Sequence, residues 1–524
     1  MNKRSKIIWI IPLALGFLFD FLFWKQIPGI NFAIFVVLSL VGGFLVLKKL
    51  EIKPSKRSWY LVIPILFFTS VIFLRQEPLT VFLGVFFTFF LMAELAVTFT
   101  GGQWLFFGVI DHLIAFIRLA GGMLARPFNY LISKPSVEEG FSRSNKKTWP
   151  IVRGVLLAIP ILLVFASLLS SADLVFAQKV GSFVDIFRLE KLPEYIFRLI
   201  YILVVMYLLM GVFLYAATNS KSDESPIENK PRIQAFLGFI ETTIILGGVV
   251  VLFSLFVIVQ FKYFFGGTMN IHLNGYTYAE YAQKGFSELV IVAIFSLLLL
   301  MGLSGLSRRE KSSQQKVFLG MGIAMVLLVG VMLVSAYQRL VLYENAYGFS
   351  ELRTYTHVFM IWLGILLVAV MVLEMVRKER MFALALILAA IGFSVSLTLL
   401  NVDSFIVRQN VEQARKGQDL DVAYLASLGF DAVPELASFY SDPEISTDLH
   451  ERIGASLACR AEFNPSHDPY SWRSYHYSRS KAEQTLSGLN DDLSGYTLEK
   501  EDWRVIVTTP SGEKLDCWDY SGLD

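Results

Sequence analysis

The chain has little charge and almost no cysteine. Only 17% of its 524 residues are Asp, Glu, Lys or Arg, where a soluble domain carries about a quarter. A water-exposed surface over the whole length is therefore excluded. The two cysteines, Cys459 and Cys517, both lie late in the chain and 58 residues apart, so no Cys-x-x-Cys motif occurs and its redox chemistry is excluded. Of the six histidines, His450, His467 and His476 lack zinc spacing, and His272 and His357 read as ordinary interfacial residues. No Walker A loop, His-Glu-x-x-His, Gly-x-Ser-x-Gly or dinucleotide fingerprint occurs. The sequence offers no metal site, no cofactor site and no spelled-out catalytic residues.

What is abundant is apolar sequence: 55% of residues are hydrophobic, 45 of them Phe. A bilayer-spanning helix needs about 20 mostly apolar residues. Eleven runs meet this, at about 7–24, 29–47, 59–75, 79–99, 150–171, 195–217, 236–263, 286–306, 317–336, 357–376 and 381–400. They must be helical, because lipid offers no partner to an open backbone N–H or C=O. Basic residues orient the bundle, since short cytoplasmic loops collect Lys and Arg. Lys3, Arg4 and Lys6 precede the first run, and Lys48, Lys49, Lys53, Lys56 and Arg57 follow the second. Arg308, Arg309, Lys311 and Lys316, then Arg377, Lys378 and Arg380, continue the alternation. The expectation is an all-α integral membrane bundle of about eleven spans over 1–400, N-terminus inside and C-terminus outside. The first run lacks a small-x-small cleavage site and reads as an uncleaved helix rather than a signal peptide.

Two segments stand apart. Residues 104–131 are apolar but interrupted by Asp111, His112, Arg118 and Arg126, the pattern of an amphipathic helix lying in the cytoplasmic headgroup plane; a twelfth span is the competing reading. Residues 401–524 hold 22 acidic and 11 basic residues, an acidic extracytoplasmic domain unsuited to nucleic acid. Its pattern reads as helices followed by a β-hairpin from 503–507 to 514–518, with Pro510 and Gly512 in the turn. On an oxidising side, Cys459 and Cys517 can pair as a disulfide or remain free thiols.

Gly-Phe-Ser-Glu-Leu occurs at 285–289 and again at 348–352. Each copy leads into an apolar run that ends at a basic turn, so a duplicated helix hairpin is one reading. Around these copies lie Tyr276, Tyr278, Glu280 and Tyr281, and Arg339, Tyr343, Glu344, Tyr347, Glu351 and Arg353. If 339–355 is one helix, Arg339, Tyr343, Tyr347, Glu351 and Tyr355 share a face. Rings beside carboxylates can bind a cation, amine or sugar; they also fit the structural role of interfacial tyrosine. Within the spans, Glu94 and Glu241 are candidate functional acids, because a carboxylate is costly in lipid. Asp20 and Glu374 lie nearer an interface.

These two outer segments, together with Asn401-Val-Asp-Ser-Phe-Ile-Val-Arg-Gln-Asn410 and Asp431-Ala-Val-Pro434, resemble a bacterial polytopic membrane family known as a domain of unknown function, the 4153/4173 type. The resemblance covers about 230–435. It implies a bacterial inner-membrane location and brings no activity or catalytic residue.

Three function classes follow. The leading one is a non-enzymatic envelope protein that senses or interacts through its outer loops and tail, with membrane lipids and an envelope or signalling protein as partners. The second is an ion-coupled transporter using Glu94 and Glu241. The third is a membrane enzyme acting on a lipid-linked substrate with outer-loop carboxylates, which needs two acids converging on a cleft.

Overall fold

Helices begin and end in this chain where apolar runs meet turn residues and basic clusters. The computed structural model describes residues 3–132, 192–218, 235–264, 286–462, 471–501 and 504–519. In it α1 (Lys3–Phe23), α2 (Ile30–Lys49), α3 (Val62–Leu74) and α4 (Pro78–Val97) are followed by α5 (Val109–Ile132) and α6 (Leu192–Thr218). A second group comprises α7 (Phe239–Phe264), α8 (Phe286–Leu306), α9 (Ser312–Tyr347), α10 (Glu351–Met375) and α11 (Phe382–Leu400). Among the described residues ten helices are long and apolar enough to cross a membrane, so the protein is a multi-pass membrane protein. They correspond to ten of the eleven expected runs; the remaining one, 150–171, lies outside the described residues.

The first group buries Ile65, Phe68, Phe87, Leu91 and Tyr215 in one core, and the second buries Leu246, Leu300, Phe318, Met325 and Val370 in another. Helix α11 joins them, its Ala390, Ile391 and Val395 packing on the first core. Helix α9 is one 36-residue rod. At 1.5 Å rise per residue it is about 54 Å long, far more than the roughly 30 Å of hydrocarbon it must cross. Its last turns therefore project beyond the span expected at 317–336.

The spans end on two faces. Turns 24–29, 75–77 and 348–350 lie on one, where the C-terminal tail docks: Ile30 N–H donates to Tyr475 O at 3.0 Å, Ser478 Oγ to Leu74 O at 2.6 Å and Phe349 N–H to Asn410 Oδ1 at 2.6 Å. The opposite face holds the turns after α2, α4, α8 and α10. Helix α5 packs along α6, where Gly211 meets Met123 and Tyr207 Oη donates to Leu124 O at 2.5 Å, and it reaches the ends of other spans on that opposite face. His112 meets Glu94 of α4, Arg126 Nη1 donates to Thr218 Oγ1 at 2.6 Å, and Tyr130 packs on Trp9. Its Leu113, Ile117, Leu124 and Phe128 remain exposed.

The tail is mostly helical: α12 (Val402–Arg415), α13 (Val422–Ser427), α14 (Val433–Tyr440), α15 (Thr447–Glu462) and α16 (Tyr477–Gly488). Asn401, at φ 53°, turns the chain out of α11 into α12, a left-handed conformation that Asn tolerates better than most residues. The sheet has three strands, β1 (Thr497–Glu501), β2 (Arg504–Thr508) and β3 (Lys514–Asp519), antiparallel in that order. Strand β1 was not expected. Its Thr-Leu-Glu-Lys-Glu stretch has one apolar residue, and it is held as an edge strand by pairing with β2. Cys459 and Cys517 form a disulfide, with Cα atoms 5.5 Å apart, between α15 and β3. The tail core, with Ile406, Val411, Leu436, Ile453 and Val507, continues into Leu79, Leu83, Val358 and Phe393 of the spans.

Candidate functional site

The junction between tail and spans is the most polar buried region described. It is built on a three-residue turn, Arg75-Gln76-Glu77, between α3 and α4. The Glu77-Pro78 pair is a helix-start signature. Glu77 is 2% exposed and accepts from the Leu79 and Thr80 N–H groups, each at 2.7 Å. It also accepts a hydrogen bond from Tyr355 of α10. Arg75 pairs with Asp431 of the tail at 3.2 Å and donates from Nε to Thr398 O at 3.1 Å. Asp431 further accepts from Gln76 N–H at 2.9 Å and Ser478 Oγ at 2.6 Å. Arg75 O receives His476 Nε2 at 3.0 Å, and burial holds that imidazole below its ordinary pKa. It therefore stays neutral, with Nε2 as the donor.

Beside this lies a pair of acids. Asp403, the second residue of α12, has no exposed surface, and neither of its carboxyl oxygens has a hydrogen-bond partner. Burial, reinforced by the negative charges of Glu351, Asp431 and Glu77, raises Asp403 well above the usual carboxylate range. The Arg460 guanidinium, 4.4 Å over the Phe430 ring, is the cation whose field reaches it. Gly429 is required here, since a Cβ at that position would sit 2.5 Å from Asp403 Oδ2. Tyr424 Oη accepts from Glu351 N–H at 3.0 Å, and burial pushes the Tyr424 hydroxyl up to about 12.

A groove of about 550–600 Å³ opens above the pair; the cavity measures ≈ 570 Å³. One wall is the turn between α9 and α10, with Tyr347, Gly348 and Arg353, and the other is α12 and the 418–424 segment. Asn410 fixes the turn by accepting from Phe349 N–H at 2.6 Å and donating to Phe349 O at 3.0 Å. Gln413 and Gln418 donate to Glu344 O and Asn345 O. Arg353 stacks 4.2 Å over Tyr343 and donates to Tyr347 O at 3.1 Å.

The sequence-derived candidates fall out as follows. Tyr276, Tyr278, Glu280 and Tyr281 lie outside the described residues. The expected single face through 339–355 does not exist, because the helix breaks at Gly348, where φ is +74°, and Asn410 grips the next residue. Tyr343, Tyr347 and Arg353 flank the groove; Glu351 joins Asp403 instead; Arg339 does not line the cavity. Glu344 is buried, with His357 Nδ1 at 3.3 Å. The two copies of the pentapeptide differ too. In the first copy Phe286 is already helical, whereas in the second the matching Phe349 is held in the turn and α10 starts two residues further on, at Glu351.

Glu94 is 2% exposed, 2.5 Å from His112 Nδ1, with Phe90, Phe107 and Phe116 around that ring. Glu241 is exposed in the first turn of α7, which packs on α9 rather than α4. Glu374 is buried on the opposite face with Arg309, Ser304 and Gln315, and Asp20 pairs with Arg198. Sequence reasoning missed Arg75, Glu77, Asp403 and Asp431. The available signals were the Glu-Pro helix start and two acids within otherwise apolar stretches of the tail.

A family model described as a domain of unknown function (DUF4153) matches residues 62–439. The match reaches back through α3–α6, which resembled the family in character only. No curated protein and no solved structure matches the chain.

Proposed function

Because the chain belongs to the DUF4153 family, whose function is unknown, we propose from the site itself that it is an envelope sensing or interaction protein. The observation carrying this reading is the groove whose one wall is the turn joining two spans and whose other wall is the tail. A partner seated there touches α9, α10 and α12 at once. The acids Glu351 and Asp403 converge, as an enzyme would need, but neither lines the groove, so the geometry favours binding over chemistry.

The reading places the protein in a bacterial cytoplasmic membrane with the tail outside. Turns on the tail side carry few basic residues, Lys25, Arg75 and Arg353. Those on the opposite side carry Lys48, Lys49, Lys53, Arg308, Arg309, Lys311, Arg377 and Lys378, the bias of cytoplasmic loops. Helix α5 then lies along the cytoplasmic surface, its exposed Leu113, Ile117, Leu124 and Phe128 in the acyl boundary. Alkaline phosphatase fused after Asp524 is expected to be active; an inactive fusion inverts the topology. A photo-reactive phenylalanine at Tyr347 is expected to give a discrete adduct in whole cells, and the same probe at Lys500 on the sheet none. Absence of a Tyr347 adduct removes the groove from the function.

A second reading, proton-coupled transport, is favoured by the buried Glu94–His112 pair. In proteoliposomes it requires proton flux that Glu94→Gln abolishes.

A further inference from the structure

A second cavity lies across the Arg75–Asp431 wall from the groove, at the level where spans α3 and α11 end. It measures ≈ 550 Å³, within the range of small-ligand sites. Arg75, Leu399 and Leu400 supply its membrane side; Arg408 of α12, Ser438 of α14 and Lys481 of α16 supply its tail side. Three features of it need explaining together.

The first is its charge. The tail is strongly acidic, yet this one cavity gathers three cations from three separate elements. Its two acids are already engaged: Asp431 by Arg75, Gln76 N–H and Ser478, and Glu435 by Arg408 Nε at 3.0 Å. Lys481 is exposed and makes no ion pair among the described residues, and the Arg408 side chain is 57% exposed. Three cations against two acids leave the lining one positive charge in excess, that of Lys481. The second is its height. Leu74 and Leu400 are the last residues of their spans, so the cavity sits at the headgroup level of the bilayer. The third is its apolar edge: Leu399, on the cavity rim, is 71% exposed on the side of the span, where an acyl chain passes.

We propose that this cavity binds the phosphate headgroup of an anionic membrane lipid, with Lys481 and Arg408 as the phosphate contacts and Leu399 against the chain. Charge-assisted bonds from Arg and Lys to phosphate are the strong class of hydrogen bond. Asn401 and Ser438, which also line the cavity, offer polar partners to the hydroxyls of a glycerol headgroup. The lipid then bridges α11 to α12, α14 and α16, and holds the acidic tail at the membrane surface. This site is separate from the groove, and neither depends on the other.

The test uses the full-length protein in detergent micelles, with and without phosphatidylglycerol, followed by native mass spectrometry and thermal unfolding. Wild type is expected to retain phosphatidylglycerol and to be stabilised by it, and phosphatidylcholine to do neither. Each basic side chain at an anionic lipid surface contributes about five-fold, so the double variant Arg408→Gln/Lys481→Gln is expected to bind about 25-fold more weakly. The charge-matched control Lys416→Gln/Lys500→Gln, away from the cavity, is expected to bind as wild type does. Equal weakening in the control would reduce the effect to general surface charge and overturn the proposal. Unchanged retention in R408Q/K481Q would overturn it as well. Glycerol phosphate at millimolar concentration is expected not to stabilise the protein. Stabilisation equal to that by the lipid would make the ligand a soluble phosphate and overturn the lipid assignment.

Discussion

Asn410 is the residue whose removal the structure predicts in most detail. Its side-chain amide makes both hydrogen bonds that hold Phe349 in the turn, at 2.6 Å to N–H and 3.0 Å from O. Asn410→Ala removes both. A hydrogen bond of this kind contributes a net ~0.5–1.5 kcal/mol, so the loss is about 1–3 kcal/mol of local stability. The Phe349 amide depends on this one acceptor, and a loss near 2 kcal/mol speeds its hydrogen exchange about 30-fold. The sequence also supplies an alternative conformation. The same Gly-Phe-Ser-Glu-Leu stretch before α8 is already helical at its Phe, so a released Phe349 can join α10 and lengthen that helix. The expected result in the full-length protein is faster exchange confined to 348–351, a reshaped groove and weaker cross-linking from Tyr347. Unchanged exchange at Phe349 would show that the turn is held by something other than Asn410, and would sink the explanation of why the two copies differ.

Three further outcomes are expected. Asp403 binds its proton more tightly in the native state than an unfolded aspartate near 3.9 does, so its contribution is full below about pH 4 and is lost as pH rises through the raised native pKa. Asp403→Asn, which removes the buried ionisable group, should therefore stabilise tail docking more at pH 8 than at pH 5 in thermal unfolding; the opposite order refutes the raised Asp403 pKa. The Cys459–Cys517 bridge closes 58 residues, so replacing both with Ser should cost the tail about 4 kcal/mol on the loop-entropy model. Limited proteolysis should then cut the tail while leaving the spans intact. Gly392→Ala places a Cβ 2.1 Å from the Trp362 ring, which is anchored by its bond to Ser396. A loss of about 1–3 kcal/mol, read as a lower unfolding temperature, is expected.

The membrane class was legible because a span is a local property: about 20 residues of composition decide it, and ten of the eleven runs appear as helices. The helix break at Gly348 was not legible, because it depends on the bond between Phe349 and Asn410, 61 residues apart. Nor was the junction. Glu77, Glu351, Asp403 and Asp431 are each unremarkable in their own segments, and become a site only when the tail folds back over the turns between spans. The expected face from Arg339, Tyr343 and Tyr347 on to Glu351 and Tyr355 failed past Tyr347 for the same reason. Helical periodicity predicts neighbours only for as long as the helix continues, and a tertiary contact ended this one.

Helix α9 gives the protein a mechanical property that no single site has. It is an unbroken rod from Ser312 to Tyr347. Its far end sits where Gln315 donates to Glu374 at 3.1 Å, and its near end forms the groove wall at Tyr347. A rod of about 54 Å that tilts by about 5° about one end moves its other end by roughly 5 Å, as far as one helical turn rises. A tilt pivoting near the middle of α9 would move its two ends in opposite senses, so that a shift at Tyr347 would reach the Glu374–Arg309 ion pair at the other end. Pivoted there, the helix would act as a lever, with Glu374 at the end of its stroke.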